Sequence, residues 1–129
     1  GLGRLSRLQE LHARNNRLTA LPPGMDGLVS LRELSLADNL LERLPDEIGG
    51  LAELARLDLR NNRLEAVPET IGCLAKLEFL DLRANRLTWL PESLGRLPNL
   101  RKLDLRWTGL PGLPRWAAAL QERGCLVYW

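Results

Sequence analysis

The chain has 129 residues, with 18 basic and 16 acidic side chains, a formal charge of +2 and 45% hydrophobic content. That is one domain's length, and so even a mixture of charges speaks against the concentrated basic face of a nucleic-acid binder or a membrane-surface protein. No apolar run reaches the roughly 18 residues of a membrane-spanning helix, so none is expected.

In chain order, residues 1–7 come first, without a starting Met or a charged and apolar leader. Leu2, Gly3 and Leu5 precede Met25, Asp26 and Leu28 by 23 residues, so this stretch is expected to be a partial repeat that leaves the array open at its N-terminal end. Five full units follow, at 8–30, 31–53, 54–76, 77–99 and 100–122, and residues 123–129 remain as a C-terminal cap. Self-similarity at a fixed period marks a stacked-repeat architecture, and five units are enough to bury a continuous core. Numbered from its first Leu, the unit reads LxxLxLxxNxLxxLPxxIxxLxx. Across nine apolar, Asn and Pro slots in five units, only Ala13, Thr108 and Ala117 break type.

Within each unit, positions 3 to 7 alternate in the two-residue period of a strand. Positions 4 and 6 point inward, and stacking the strands in parallel at about 4.8 Å forms one column of Leu side chains. The Asn at position 9 (Asn16, Asn39, Asn62, Asn85) falls where the chain leaves the strand; its amide is expected to satisfy turn backbone, including that of the neighbouring unit. Thr108 keeps only a hydroxyl there, so a less regular last turn is expected. Pro at position 15 fixes the backbone and supplies no donor, which suits the start of a short helix. Apolar residues at 14, 18 and 21 then have helical spacing, and a short helix or 3₁₀ turn is expected. Gly27, Gly49, Gly50, Gly72 and Gly95 are read as ending that turn. In the cap, Leu126 and Tyr128 lie 23 residues after Leu103 and Leu105, which predicts a sixth strand with both inward and Cys125, Val127 and Trp129 facing out; Trp116 is expected to pack under this end. Cys73 and Cys125 fall on opposite sides of the predicted coil, so no disulfide is expected, and free thiols suit a reducing, cytoplasmic setting.

The unit is seen in full in Leu77–Asn99, LEFLDLRANRLTWLPESLGRLPN, and it resembles the 23-residue LPxxI subclass of leucine-rich-repeat proteins, found in cytoplasmic scaffold proteins and many bacterial multidomain proteins. The resemblance covers nearly the whole chain. It implies an α/β repeat fold, a right-handed solenoid with a parallel β-sheet on the concave face and short helices or 3₁₀ turns on the convex face, used to bind proteins. Extracellular members usually carry Cys-rich caps, which are absent here.

On such a sheet the outward positions form columns. Position 3 reads Glu10, Glu33, Arg56, Phe79, Lys102; position 5 reads His12, Ser35, Asp58, Asp81, Asp104; position 7 reads Arg14, Ala37, Arg60, Arg83, Arg106; position 8 reads Asn15, Asp38, Asn61, Ala84, Trp107. The Asp column beside the Arg column has two readings, a neutralised sheet surface or part of a binding epitope. Trp107 likewise either meets a partner or packs on the cap, and Trp89 is expected to be partly exposed at the edge. Arg and aromatic residues are enriched in interface hot spots, so the candidate protein-binding set is Arg56, Asp58, Arg60, Phe79, Asp81, Arg83, Lys102, Asp104, Arg106 and Trp107.

No catalytic, cofactor or metal site is expected. Asp58, Asp81 and Asp104 would stand about 5 Å apart on adjacent strands, near a retaining-glycosidase separation, but beside Arg on an open surface neither carboxyl gains the raised pKa of a general acid. His12 is the one histidine and lies two units away, so no triad or metal set assembles. The expected function is non-enzymatic protein binding. The rivals are a structural or regulatory arm of a larger signalling protein carrying a kinase, GTPase or ubiquitin-ligase domain, and weak self-association through Leu8, Leu11 and the 2–5 segment. Nucleic-acid and membrane partners are not expected.

Overall fold

The computed structural model describes residues 6–129. The LxL alternation yields six three-residue strands: β1 (Glu10–His12), β2 (Glu33–Ser35), β3 (Arg56–Asp58), β4 (Phe79–Asp81), β5 (Lys102–Asp104) and β6 (Leu126–Tyr128). They form one sheet in the order β1-β2-β3-β4-β5-β6. Every pair is parallel, and the first five strands are in a strict 23-residue register, with Leu11, Leu34, Leu57, Leu80 and Leu103 side by side. The central column from Leu34 to Leu103, together with Leu36, Leu59, Leu82 and Leu105, is buried, and these residues join Ile48, Ile71, Leu94 and their neighbours in one core. The chain is thus a leucine-rich-repeat solenoid with its parallel sheet on the concave face.

On the convex side the Pro corners do what their fixed φ suggests. Pro45, Pro68 and Pro91 are extended and cap 3₁₀ turns at Asp46–Gly50, Glu69–Cys73 and Glu92–Arg96. The glycines in these turns have a different role from the expected one. Gly49, Gly72 and Gly95 have no left-handed φ; a Cβ on Gly49 would stand 2.7 Å from the Thr70 carbonyl oxygen, one on Gly72 would collide with the Ser93 side chain, and one on Gly95 would stand 2.9 Å from Trp116 Cβ. They are small because successive coils touch there. Trp116 packs against Gly95 and the core, as expected.

Beyond each strand the parallel hydrogen bonding runs on to position 8, where the N–H of Asp38, Asn61 and Ala84 donates to the carbonyl of Arg60, Arg83 and Arg106 in the next coil. The chain then turns through the left-handed region, with φ of 58° at Asn15, 61° at Asp38, 56° at Asn61, 54° at Ala84 and 59° at Trp107. The buried Asn at position 9 locks that turn. Asn62 Nδ2 donates to the carbonyls of Leu59 and Arg60 in its own coil and of Leu36 in the preceding one, while its Oδ1 accepts the Leu41 N–H. Asn39 and Asn85 repeat the pattern. Among the described residues Thr108 reaches only the Leu105 carbonyl, so the last turn is held by fewer bonds; a second left-handed residue follows in it, Gly109, as Arg17 follows in the first turn.

The C-terminal strand lies where the sequence places it but faces the other way. Val127, not Leu126, pairs with Leu103, and Tyr128 pairs with Asp104, a shift of one residue that exchanges the two faces of a strand. Leu126 is 57% and Tyr128 39% exposed, while Val127 packs on the core and Cys125 is buried. The physical reason is the element before it. Ala117–Glu122 is an α-helix, α1, instead of a 3₁₀ turn; an α-helix rises about 1.5 Å per residue against about 2.0 Å, so the same span takes more residues. Gly124, at φ +90°, closes the helix. Arg123 leaves the apolar first slot and its guanidinium donates to the Gly95 and Leu97 carbonyls.

Two substitution pairs test these assignments. Asn62→Ala strips partners from Leu36, Leu59 and Leu41 backbone groups at about 1–3 kcal/mol each and should lower the urea midpoint far more than Asn16→Ala at the exposed end; equal effects would contradict the locking role. Gly72→Ala should destabilise by at least about 1 kcal/mol, whereas Gly112→Ala, with open space around its Cβ, should be neutral in the same melts.

Candidate functional site

The concave sheet carries a groove of about 280 Å³ whose polar lining is His12, Arg14, Glu33, Ser35, Arg56, Asp58, Asp81, Lys102 and Asp104, with Phe79 among them. Of the sequence-predicted set, the groove gathers Arg56, Asp58, Phe79, Asp81, Lys102 and Asp104. Arg60, Arg83, Arg106 and Trp107 lie outside it along the strand ends. Strand alternation places positions 3 and 5 on this face, and His12, Arg14, Glu33 and Ser35 belong with the site although they are absent from that set. Their signal was present: they occupy the same columns one or two units earlier.

The Asp and Arg columns neutralise each other within the sheet. Arg83 makes a bidentate pair with Asp81, through Nε to Oδ1 at 3.0 Å and Nη2 to Oδ2 at 2.6 Å, and its Nε also stands 3.3 Å from Asp104 on the next strand. Arg106 pairs with Asp104 at 3.0 and 2.7 Å, and Arg60 lies 3.4 Å from Asp58. Each Asp also accepts the backbone N–H of the Arg two residues on. Asp104, expected in an exposed column, is only 1% exposed. It lies between two guanidinium groups and in register with Tyr128, a consequence of the β6 shift. Burial by itself pushes the Asp104 carboxyl up, yet the Arg106 side-chain and backbone hydrogen bonds and the charges of Arg106 and Arg83 outweigh it and hold the group below its ordinary value. That is the opposite of what a general acid needs.

Position 3 behaves differently. Arg56 lies over the Phe79 ring at 4.1 Å and Lys102 over the Tyr128 ring at 5.3 Å. Neither cation forms an ion pair among the described residues. Trp107 is 71% exposed, with the Arg106 guanidinium 5.4 Å from its ring. It lines a recess of about 130 Å³ together with Trp129 of the cap, Leu105, Thr108 and Leu110. Trp89 is exposed at the edge, as expected. At the other end Glu10, His12 and Glu33 bring their ligand atoms within 4.8 Å of one another, a grouping the sequence reading did not make. Among the described residues Glu10 and His12 are exposed and Glu33 is half-buried.

Because the folded Asp104 is more acidic than an unfolded Asp, its stabilising contribution is complete above the unfolded pKa of about 3.9 and disappears as pH falls through the lower folded value. Asp104→Asn should therefore cost about 2 kcal/mol at neutral pH, with the difference from the parent chain shrinking below pH of about 4 in thermal melts. A gap that stays constant down to pH of about 2 would contradict the assigned pairing.

The leucine-rich repeat region family model matches residues 24–108 and the leucine-rich repeat model residues 7–28. A search of curated proteins gives no match. Among solved structures, a leucine-rich-repeat protein of Leptospira interrogans is 38% identical at a TM-score of 0.90, over 93% of this chain and 31% of that one. The leucine-rich repeat domain of the type III effector XopL is 32% identical at 0.76, over 98% and 54%. The ectodomain of the Arabidopsis thaliana receptor kinase GASSHO1/SCHENGEN3, in complex with Casparian strip integrity factor 2, is 34% identical at 0.76, over 90% and 14%. This chain thus spans 31%, 54% and 14% of the lengths of those three. With the repeat model covering most of its residues and the stacked parallel strands it requires in place, the chain belongs to the leucine-rich-repeat family.

Proposed function

We propose that the chain is a non-enzymatic protein-recognition module of the 23-residue LPxxI subclass, which binds a polypeptide partner on its concave sheet. The subclass assignment is supported by the Pro corners that start each convex 3₁₀ turn. The observation that carries the function is the open groove on a sheet already in register, its turns fastened by buried Asn side chains. Such a surface is ordered before its partner arrives, so association does not bear the cost of ordering it.

Trp107 adds support. A bulky residue in the left-handed region costs about 1 kcal/mol or more, and here the side chain stays 71% exposed. An exposed Trp beside Arg106, on the sheet that also carries Phe79 and further Arg, has the composition of an interface hot spot. The GASSHO1/SCHENGEN3 ectodomain was solved with a bound partner, which is in keeping with this use of the fold. Two free cysteines, Cys73 exposed and Cys125 buried with its thiol pushed up by burial, suit a reducing compartment. A regulatory arm within a larger signalling protein is the second reading, in keeping with the likeness to the ectodomain of the receptor kinase GASSHO1/SCHENGEN3.

Panning a random-peptide display library against the chain tests the binding face. Recovered peptides should lose at least about tenfold in affinity, about 1.4 kcal/mol, on a variant combining Phe79→Ala and Trp107→Ala whose circular dichroism is unchanged. Equal affinity would remove the concave face from the reading. Sedimentation at several concentrations should show a monomer; growth with concentration would favour self-association.

A further inference from the structure

The concave face is divided into two lanes that differ in whether their charges are spoken for. Positions 5 and 7 pair internally in Asp58–Arg60, Asp81–Arg83 and Asp104–Arg106. Among the described residues, position 3 forms no ion pair with a group of opposite fixed charge. Glu10 and Glu33 stand directly opposite each other across β1 and β2, an arrangement that repels; the His12 imidazole lies 3.4 Å from Glu10. On the next strand Arg56 stands opposite Glu33, and Arg56 and Lys102 flank Phe79 in the same lane and rest on ring faces instead of carboxylates. The lane is therefore acidic over β1–β2 and cationic with an aromatic centre over β3–β5.

We propose that the occupant of the concave face is an extended peptide carrying two adjacent blocks of opposite charge, basic residues over Glu10 and Glu33 and acidic residues over Arg56 and Lys102, with an apolar side chain on Phe79. This rests on the protein-recognition reading and specifies its partner. From β1 to β5 the lane crosses four strand spacings of about 4.8 Å, about 19 Å, which about six residues of extended chain span. A uniformly basic or acidic ligand meets one repelling end. Nucleic acid is disfavoured by Glu10 and Glu33, while a block-charged peptide satisfies both ends and is aligned by them.

The test uses two fluorescent peptides of identical composition and about twelve residues, long enough to overhang the lane. One has a Lys-rich half, a central Phe and an Asp-rich half; the other alternates Lys and Asp around the same Phe. Fluorescence anisotropy at low and physiological ionic strength should give the block peptide an advantage of about tenfold or more, reduced by salt. Arg56→Glu with Lys102→Glu should erase that advantage. Adding Glu10→Lys and Glu33→Lys to that variant should bring it back, since the peptide binds with its blocks exchanged, and this recovery also shows that the variants are folded. Equal binding of the two peptides, or an advantage untouched by Arg56→Glu and Lys102→Glu, would overturn the proposal. If display-selected peptides still depend on Phe79 and Trp107 while no block preference exists, concave recognition stands and the charge assignment falls.

Discussion

The buried asparagine amide between coils is the interaction on which the remainder depends. A strand of three residues has too few backbone bonds to fix its own register, and a parallel neighbour slipped by one residue turns its leucines toward solvent. Asn39, Asn62 and Asn85 remove that freedom, because each holds carbonyls of its own coil and of the preceding coil at once. The leucine columns and the Pro corners then stack with a constant period. The flat apolar core follows from the stacking rather than from any single large side chain. Where the amide is replaced by Thr108, the side chain holds the Leu105 carbonyl alone, and the next element is an α-helix.

A rigid register gives the outward columns their meaning. Side chains 23 residues apart in sequence stand on adjacent strands, so a choice made once per unit becomes a lane across the face. In the Asp and Arg lanes the charges consume one another, most completely at Asp104, which is buried under two guanidinium groups. Six of the predicted site residues are thereby committed to the sheet itself, which favours the neutralised-surface reading of the ladder over a direct epitope for Asp58, Asp81 and Asp104. Arg56 and Lys102 rest on the Phe79 and Tyr128 rings and form no ion pair among the described residues, and Trp107 stays 71% exposed.

Much of this was legible in the sequence. The 23-residue period, the inward leucines, the structural asparagines and the proline-led turns each follow from residue types at fixed spacing. The misses have physical causes. The reversed faces of β6 depend on the rise per residue of the segment before it; the helix formers of Ala117–Glu122, with Ala118 in the slot that Gly49, Gly72 and Gly95 hold in earlier units, signalled an α-helix there, but the 23-residue period was followed instead. The left-handed turn at position 8 was signalled by Asn15, Asp38 and Asn61, residue types that tolerate it, but Ala84 and Trp107 in the same slot concealed it. The glycines were attributed to helix ends because a sequence shows no neighbouring coil; their need is the closeness of Thr70, Ser93 and Trp116. The gathering of Glu10, His12 and Glu33 could have been found by aligning positions 3 and 5 across units.

The central claim is that the concave face holds one set of charges fixed within the sheet and leaves another set free for a partner. Nuclear magnetic resonance of the arginine Nε–H groups measures this directly. Arg83 and Arg106, whose Nε atoms bond Asp81 and Asp104, should give resolved, slowly exchanging signals at neutral pH, while the Arg56 Nε–H exchanges rapidly with water. Rapid exchange at Arg83 and Arg106, or equal protection at Arg56, would contradict the division of the face.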